Sequence, residues 1–200
     1  MTSENKGSTM TNIDYWLWLS LKKSMTAEKM QSLFSVFSSP EEIYNAQKED
    51  FQKIKGITKR TANLLCDKSL ERVKEVRRLC KEYNIKVLTF DSPYYPNNLR
   101  NIPAPPYVLY TRSFKRINLN EHIRIAIVGN RESTSYGENI TKDFAYNLAN
   151  NGIVIVSGMA RGIDASAHRA CLSAGGITVA VMGCGLDRAY PPQYKELMAQ

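Results

Sequence analysis

Residues 123–137 read IRIAIVGNRESTSYG, residues 153–168 read IVIVSGMARGIDASAH, and residues 178–191 read TVAVMGCGLDRAYP. Each piece opens with a continuous apolar, largely β-branched run, and each run ends in a glycine: Gly129, Gly158 and Gly183. The first two runs lead into segments of helical period. Ile140, Phe144 and Leu148 follow Tyr136, and Ile163, Ala167, Ala170 and Ala174 follow Gly162. Continuous apolar strands alternating with amphipathic helices predict an α/β fold with a Rossmann-like parallel sheet covered on both faces. Right-handed crossovers put the three glycine turns at the carboxyl ends of the strands, where open α/β sheets bind ligands.

The turn residues indicate the chemistry of that ligand. Gly129-Asn130-Arg131 leaves the first strand with a backbone that admits close approach and a guanidinium beside it. Ser157-Gly158-Met159-Ala160-Arg161-Gly162 repeats the arrangement at the second strand. Helix N-termini offer unpaired N–H groups and partial positive charge to phosphate, and arginine adds a planar fork that matches phosphate oxygens. Two arginines converging on one edge favour a phosphate-bearing ligand over glycines that merely make tight turns beside solvated arginines. Gly183 and Gly185 would let a strand of ligand pass near the third turn.

Other chemistry is poorly supported. Gly183-Cys184-Gly185 starts a GxGxxG pattern, but the last position is Arg188, and no acid closes a second strand, so no dinucleotide cofactor is expected. Asp164 and His168 stand at i and i+4 on one helix face. They could form an acid–base pair or half a metal site. The alternative, favoured because no third partner is visible, is that Asp164 satisfies backbone N–H groups in the first helical turn and His168 bonds a nearby carbonyl. His122 reads as a loop residue. No catalytic residue, metal or cofactor is therefore expected.

Composition adds a partner class. The 200 residues carry a net charge of +8, which favours acidic partners such as nucleic acid or an anionic surface. From Lys53 to Lys86 there are eleven Lys/Arg against four Asp/Glu. Cys66, Cys80, Cys171 and Cys184 form no CxxC pair and lie at no metal-ligand spacing, as expected in a reducing cytosol. The polar N-terminus has no apolar signal core, and no apolar run is long enough to span a bilayer, so a cytoplasmic protein without a membrane partner is expected.

In chain order, residues 1–11 read as a disordered tail and 12–84 as a small all-α domain. Ile13–Leu21 is a buried helix with Trp16 and Trp18 as core anchors. Thr26 is an N-cap, and Ser39-Pro40-Glu41-Glu42 is a helix start. Ile54-Lys55-Gly56-Ile57-Thr58-Lys59-Arg60 resembles a helix-hairpin-helix turn, with Thr58 where a second glycine is usual. One long helix is expected from about 59 to 83, with Leu65, Val73, Val76, Cys80 and Tyr83 buried. KVLTF and YVLYT are short strands flanking a connector whose five prolines exclude a helix. Residues 85–200 are expected to form the Rossmann-like domain.

GNRESTSYG, SGMARGIDASAH and VMGCGLDRAYP together resemble the DprA/Smf family, the DNA-processing proteins of natural transformation. The family's motifs are similar to GSR-x-x-(S/T)-x-YG, SG-x-ARGID-x-x-AH and GxGLD-x-x-YP. The resemblance extends upstream through FDSPYYPNNLRNIPAPPYVLY and, more loosely, to the N-terminal helices, which correspond to a SAM-like domain. Asn130 stands where the family usually has Ser; both are small hydrogen-bonding residues. The resemblance implies a non-enzymatic single-stranded DNA-binding protein that protects incoming DNA and helps load a RecA-type recombinase, with a homodimer in the full-length member. Arg131 is carried over from the GSR motif as the first phosphate contact; Arg161 is inferred from its place in the second turn. The family continues with further strands, a basic segment and a self-association surface, so this sheet is expected to be its first half, shortened at the C-terminus. Two alternatives remain: a nucleotide-phosphate hydrolase using Asp164 or Asp187, and a structural remnant that no longer binds.

Overall fold

The helical part begins where the polar N-terminal stretch gives way to apolar residues. The structure, a computed structural model, describes residues 10–200; the expected tail falls largely outside them. Thr11 stands at the N-cap of α1 (Asn12–Ser20), where Asp14 accepts from both its N–H and its hydroxyl at 2.8 Å. Four consecutive residues of α1, Trp16 to Leu19, are buried. A helix apolar all round is one surrounded by its own domain, and α1 is packed by α2 (Ala27–Phe34), α3 (Pro40–Asn45), α4 (Lys48–Gln52), α5 (Lys59–Cys66) and α6 (Glu71–Glu82) in one core. Both tryptophans are core anchors, as expected. Trp16 stacks on Phe34 and Tyr107 at centroid distances of 5.3 and 5.9 Å, and the Trp18 indole N–H donates to the Asp67 carbonyl at 3.0 Å. Thr26 and Ser39 cap α2 and α3 through their hydroxyls.

The single long helix expected over 59–83 is two helices. Asp67 interrupts it with extended backbone, and its carboxylate accepts the Ser69 N–H at 3.0 Å. Its carbonyl is turned to Trp18 and the Lys22 ammonium instead of to the next helical turn. The tertiary bonds of one residue thus outweigh the helix propensity of its neighbours.

β1 (Lys86–Thr89) and β2 (Val108–Thr111) pair antiparallel with each other, Lys86 opposite Thr111 and Thr89 opposite Val108. Val87, Tyr107 and Val108 pack on the helical core. The connector between the strands is ordered. Tyr95 is fully buried with its hydroxyl donating to the Pro106 carbonyl at 2.7 Å, and Arg100 donates to the Phe90 and Ser92 carbonyls. One helical turn, α7 (Asn97–Arg100), fits between Pro96 and Pro103, where none was expected. The chain divides into two compact units between Thr111 and Arg112, whereas the sequence pattern placed the start of the sheet domain at 85. The hairpin accounts for the difference, because it closes on the helices.

The second unit contains the parallel sheet β3 (Arg124–Ala126), β4 (Val154–Ser157) and β5 (Thr178–Ala180), in that spatial order, with α8 (Ser135–Asn150), α9 (Ile163–Ser173) and a short α10 (Lys195–Ala199). The fold is α/β, as the sequence pattern predicts. Because β3, β4 and β5 advance in one direction, right-handed crossovers place α8 and α9 on one face. There Ala145, Ala149, Ile155, Ala167, Ala170 and Cys171 form the core. The opposite face is covered unevenly: Val154 in β4 is 1% exposed, whereas Val128 and Val181, just past the ends of β3 and β5, are 72% and 64% exposed.

The buried face of α8 also differs from the expectation. Thr141, Ala145 and Ala149 point inward, while Phe144 is 61% and Ile140 39% exposed; only Leu148 of the expected stripe reaches the core. The reason is close helix packing. Gly176 lies so near Ala149 that a Cβ on it would stand 2.6 Å from the alanine Cβ, and only small side chains fit such a seam.

Candidate functional site

The carboxyl edge of the sheet is assembled mainly from main-chain atoms. β3 continues through Ile127, whose N–H donates to the Val156 carbonyl at 3.0 Å, and the chain then turns at Gly129. The Asn130 carbonyl accepts the Ile163 N–H at 3.3 Å, tying the loop after β3 to the start of α9. Two glycines permit this. Gly162 has φ +75°, and a Cβ there would overlap the Asn130 carbonyl oxygen and stand 2.9 Å from that of Arg131. A Cβ on Gly129 would meet Ile163 at 2.7 Å. The loop then enters α8 through Thr134, whose hydroxyl accepts the Gly137 N–H at 3.1 Å, while Ser133 donates to Glu138 at 2.7 Å.

This interlock sets Arg131 and Arg161 on one stretch of the edge, since Arg161 immediately precedes Gly162. Both are exposed, and among the described residues neither guanidinium has an ion pair or hydrogen bond. Glu132 is exposed beside Arg131, so the charge of the loop itself is balanced and Arg161 supplies the surplus.

The turn after β4 is already occupied by an internal anion. Asp164 is buried, and its Oδ2 accepts the N–H groups of Gly158 at 3.2 Å and Ala160 at 3.3 Å. Those donors are not available to a ligand phosphate, and the carboxylate would repel one; Gly158 is glycine because a Cβ would stand 2.8 Å from Asp164 Oδ2. Ser157 is buried within the sheet, where its hydroxyl donates to the Ile127 carbonyl at 2.6 Å. In the third turn Gly183 borders open space, whereas Gly185 makes room for the carboxylate of Asp187. Of the eight residues singled out from the sequence, Gly129, Asn130 and Arg131 lie on the braced loop and Arg161 immediately before Gly162, and both guanidinium groups are unpaired among the described residues. Gly158 and Ser157 are committed to the fold, and Gly183 and Gly185 lie in a separate turn.

Sequence reasoning passed over Gly162 and Ile163. Glycine is an ordinary residue before a helix, so the sequence alone carried no signal of the close approach at Gly162. Asp164 serves the backbone N–H groups, as favoured above. His168 departs in detail: its Nδ1 meets the Thr178 hydroxyl at 2.6 Å instead of a carbonyl, and that hydroxyl donates to the Ile155 carbonyl at 3.0 Å. With the hydroxyl proton so used, Nδ1 carries the imidazole proton. Burial lowers the His168 pKa below its ordinary value, with Asp164 acting weakly the other way. The described residues hold no cluster of three metal-ligating side chains and no helix long and apolar enough to cross a membrane.

Comparison with known proteins agrees with the motif assembly. The sequence model of a family described as DNA recombination-mediator protein A matches residues 86–200, the hairpin and the whole sheet unit. The chain belongs to this family. Among curated members, Protein Smf of Synechocystis sp. is 43% identical over 122 residues, covering 60% of this chain and 31% of that protein. The DNA processing protein DprA of Streptococcus pneumoniae is 39% identical over 103 residues, covering 52% of this chain and 36% of that one. The X-ray structure of DprA from Streptococcus pneumoniae superposes with a TM-score of 0.68 at 26% identity, covering 96% of this chain and 64% of that chain. The chain thus spans well under half the length of these two curated relatives, while its helical unit and its sheet unit both fall within the structural match.

Proposed function

We propose that the chain binds the phosphate backbone of single-stranded DNA at the carboxyl edge of β3 and β4, as part of a DNA-processing protein of natural transformation. The observation that carries this reading is the exposed, unpaired guanidinium of Arg131 on a loop braced by main-chain contacts to Gly162 and Ile163. A charge without a partner on a rigid support is available to an anion, because no ion pair has to be broken and no backbone has to be ordered before contact. The names of the relatives place the family in DNA processing. Loading of a RecA-type recombinase and homodimer formation belong to the same proposal.

Binding at such an edge is electrostatic, steeply salt-dependent and indifferent to base sequence. The competing hydrolase reading requires a free carboxylate at the edge. Asp164 is buried and engaged by two N–H groups, which weighs against it as a general base. The test is fluorescence anisotropy of labelled oligo-dT with the chain and with Arg131→Ala. Arg131→Ala is expected to lose about 1–3 kcal/mol, the scale of a charge-assisted hydrogen bond. Wild-type binding that ignores Arg131 would refute the site.

A further inference from the structure

The positive surplus between Lys53 and Lys86 is not spread evenly. In α6 three of the five cations are paired, while Arg72 and Lys81 are exposed and have no ion pair among the described residues. Lys74 pairs with Glu71 at 3.1 Å, Arg78 with Glu75 at 2.9 Å and with Glu82 at 2.7 Å, and Arg77 reaches Asp14 at 3.6 Å. From Lys53 to Cys66, by contrast, there are four cations and no acid. Lys53, Lys55, Lys59 and Arg60 are all exposed, and among the described residues none has an ion pair or a side-chain hydrogen bond. The preceding acid, Asp50, is turned back on its own helix, accepting the Gln47 N–H at 3.0 Å.

These cations sit on an anchored turn. Ile54 and Ile57 are buried in the core of the first unit, and the Ile57 N–H donates to the Ile54 carbonyl at 3.1 Å. The side chains between and beside the two isoleucines face outward. We propose that residues 53–60 form a second phosphate-contacting surface, which grips the backbone of nucleic acid. The proposal rests on the single-stranded DNA reading above and extends it to the first unit.

The chemistry selects nucleic acid over a lipid surface. Anchoring in the bilayer interface uses exposed apolar side chains, and the two apolar residues of this turn are buried, which leaves a lipid surface charge attraction alone. The turn also has no aromatic side chain for base stacking. Contact is therefore with phosphates, independent of sequence and of strandedness.

The test uses the full chain with all four residues, Lys53, Lys55, Lys59 and Arg60, changed to alanine. A control, Lys74→Ala/Arg78→Ala, removes charge from α6. Oligo-dT anisotropy is recorded over a range of salt, with a duplex of equal length and anionic vesicles as further probes. The fourfold variant is expected to melt as wild type does, since all four side chains are exposed. It should bind oligo-dT at least tenfold more weakly at low salt, with the log–log salt slope shallower by roughly 0.7 for each phosphate that is no longer neutralised. The duplex should weaken in parallel, and the control should change little.

Wild-type affinity and slope in the fourfold variant would overturn the proposal. So would an equal loss per charge in the control, a loss confined to the duplex, or wild-type binding to vesicles and not to oligo-dT. If the fourfold variant is silent while Arg131→Ala loses affinity, this inference falls and the sheet-edge reading stands. If Arg131→Ala is silent while the fourfold variant loses affinity, the sheet edge falls and the turn stands.

Discussion

Replacing Gly162 by alanine tests whether the sheet edge is held together as described. Two terms add. Gly162 adopts φ +75° and ψ −123°, a region closed to L side chains, and holding alanine there costs about 1–3 kcal/mol. The new Cβ would also stand 2.9 Å from the Arg131 carbonyl oxygen and nearer still to that of Asn130. The loop must retreat by several tenths of an ångström, lengthening the 3.3 Å bond from Ile163 N–H to the Asn130 carbonyl. Losing that bond adds about 0.5–1.5 kcal/mol. Gly152 supplies the internal reference. Its φ is +74°, and a Cβ there would meet nothing within 4 Å, so Gly152→Ala carries backbone strain alone. Melting should be followed by far-UV circular dichroism, because both tryptophans lie in the first unit and their fluorescence is blind to the second. Each kcal/mol corresponds to roughly 4–8 °C in a domain of this size. Gly162→Ala should melt below Gly152→Ala by that increment and should bind oligo-dT about tenfold more weakly, while Gly152→Ala keeps wild-type affinity. If the two variants melt together and bind alike, the bracing of the arginine loop is wrong.

Three further outcomes follow from the geometry. Glu132→Gln removes the carboxylate beside Arg131 and should strengthen oligo-dT binding roughly two- to fivefold at low salt, the scale of an exposed charge pair, with the gain fading as salt rises. Burial holds His168 neutral in the fold, so below its ordinary pKa of 6.5 the unfolded chain takes up a proton that the folded chain refuses. Stability of the second unit should be full above that pH, decline as the pH falls toward the lowered folded value, and then level off; His168→Asn, which keeps an N–H for Thr178, should flatten this part of a pH series of melts. In the first unit, Trp18→Phe removes the hydrogen bond to the Asp67 carbonyl and weakens the support of the Lys22 and Lys68 ammonium groups, which lie 4.9 and 5.0 Å from the indole. A loss of about 1–3 kcal/mol is expected in denaturant titrations.

The strands and their glycine turns were legible because a continuous apolar run closed by glycine has few other meanings. The inward face of α8 was not. Periodicity selects the large apolar residues Ile140 and Phe144, but the seam against α9 is so narrow that alanines fill it. Helix continuity failed at Asp67 for a similar reason, since partners far away in sequence claim its carbonyl. At the site, residue types drew attention to Gly129 and Arg131, which lie on the loop braced by Gly162 and Ile163. They assigned Asp164 to backbone N–H groups but not to which ones, because an acid in the first turn of a helix reads the same whether it caps its own helix or, as here, reaches Gly158 and Ala160 in the turn before it.

The bond between Asn130 and Ile163 has a kinetic consequence. A loop secured by main-chain atoms has no backbone left to order when a ligand arrives; only the rotamers of the arginine side chain remain to be fixed. Capture of a strand should then be limited by encounter, not by rearrangement. The association rate should be fast, sensitive to ionic strength and only weakly dependent on temperature, and differences among variants with the bond intact should emerge mainly in how quickly the strand leaves.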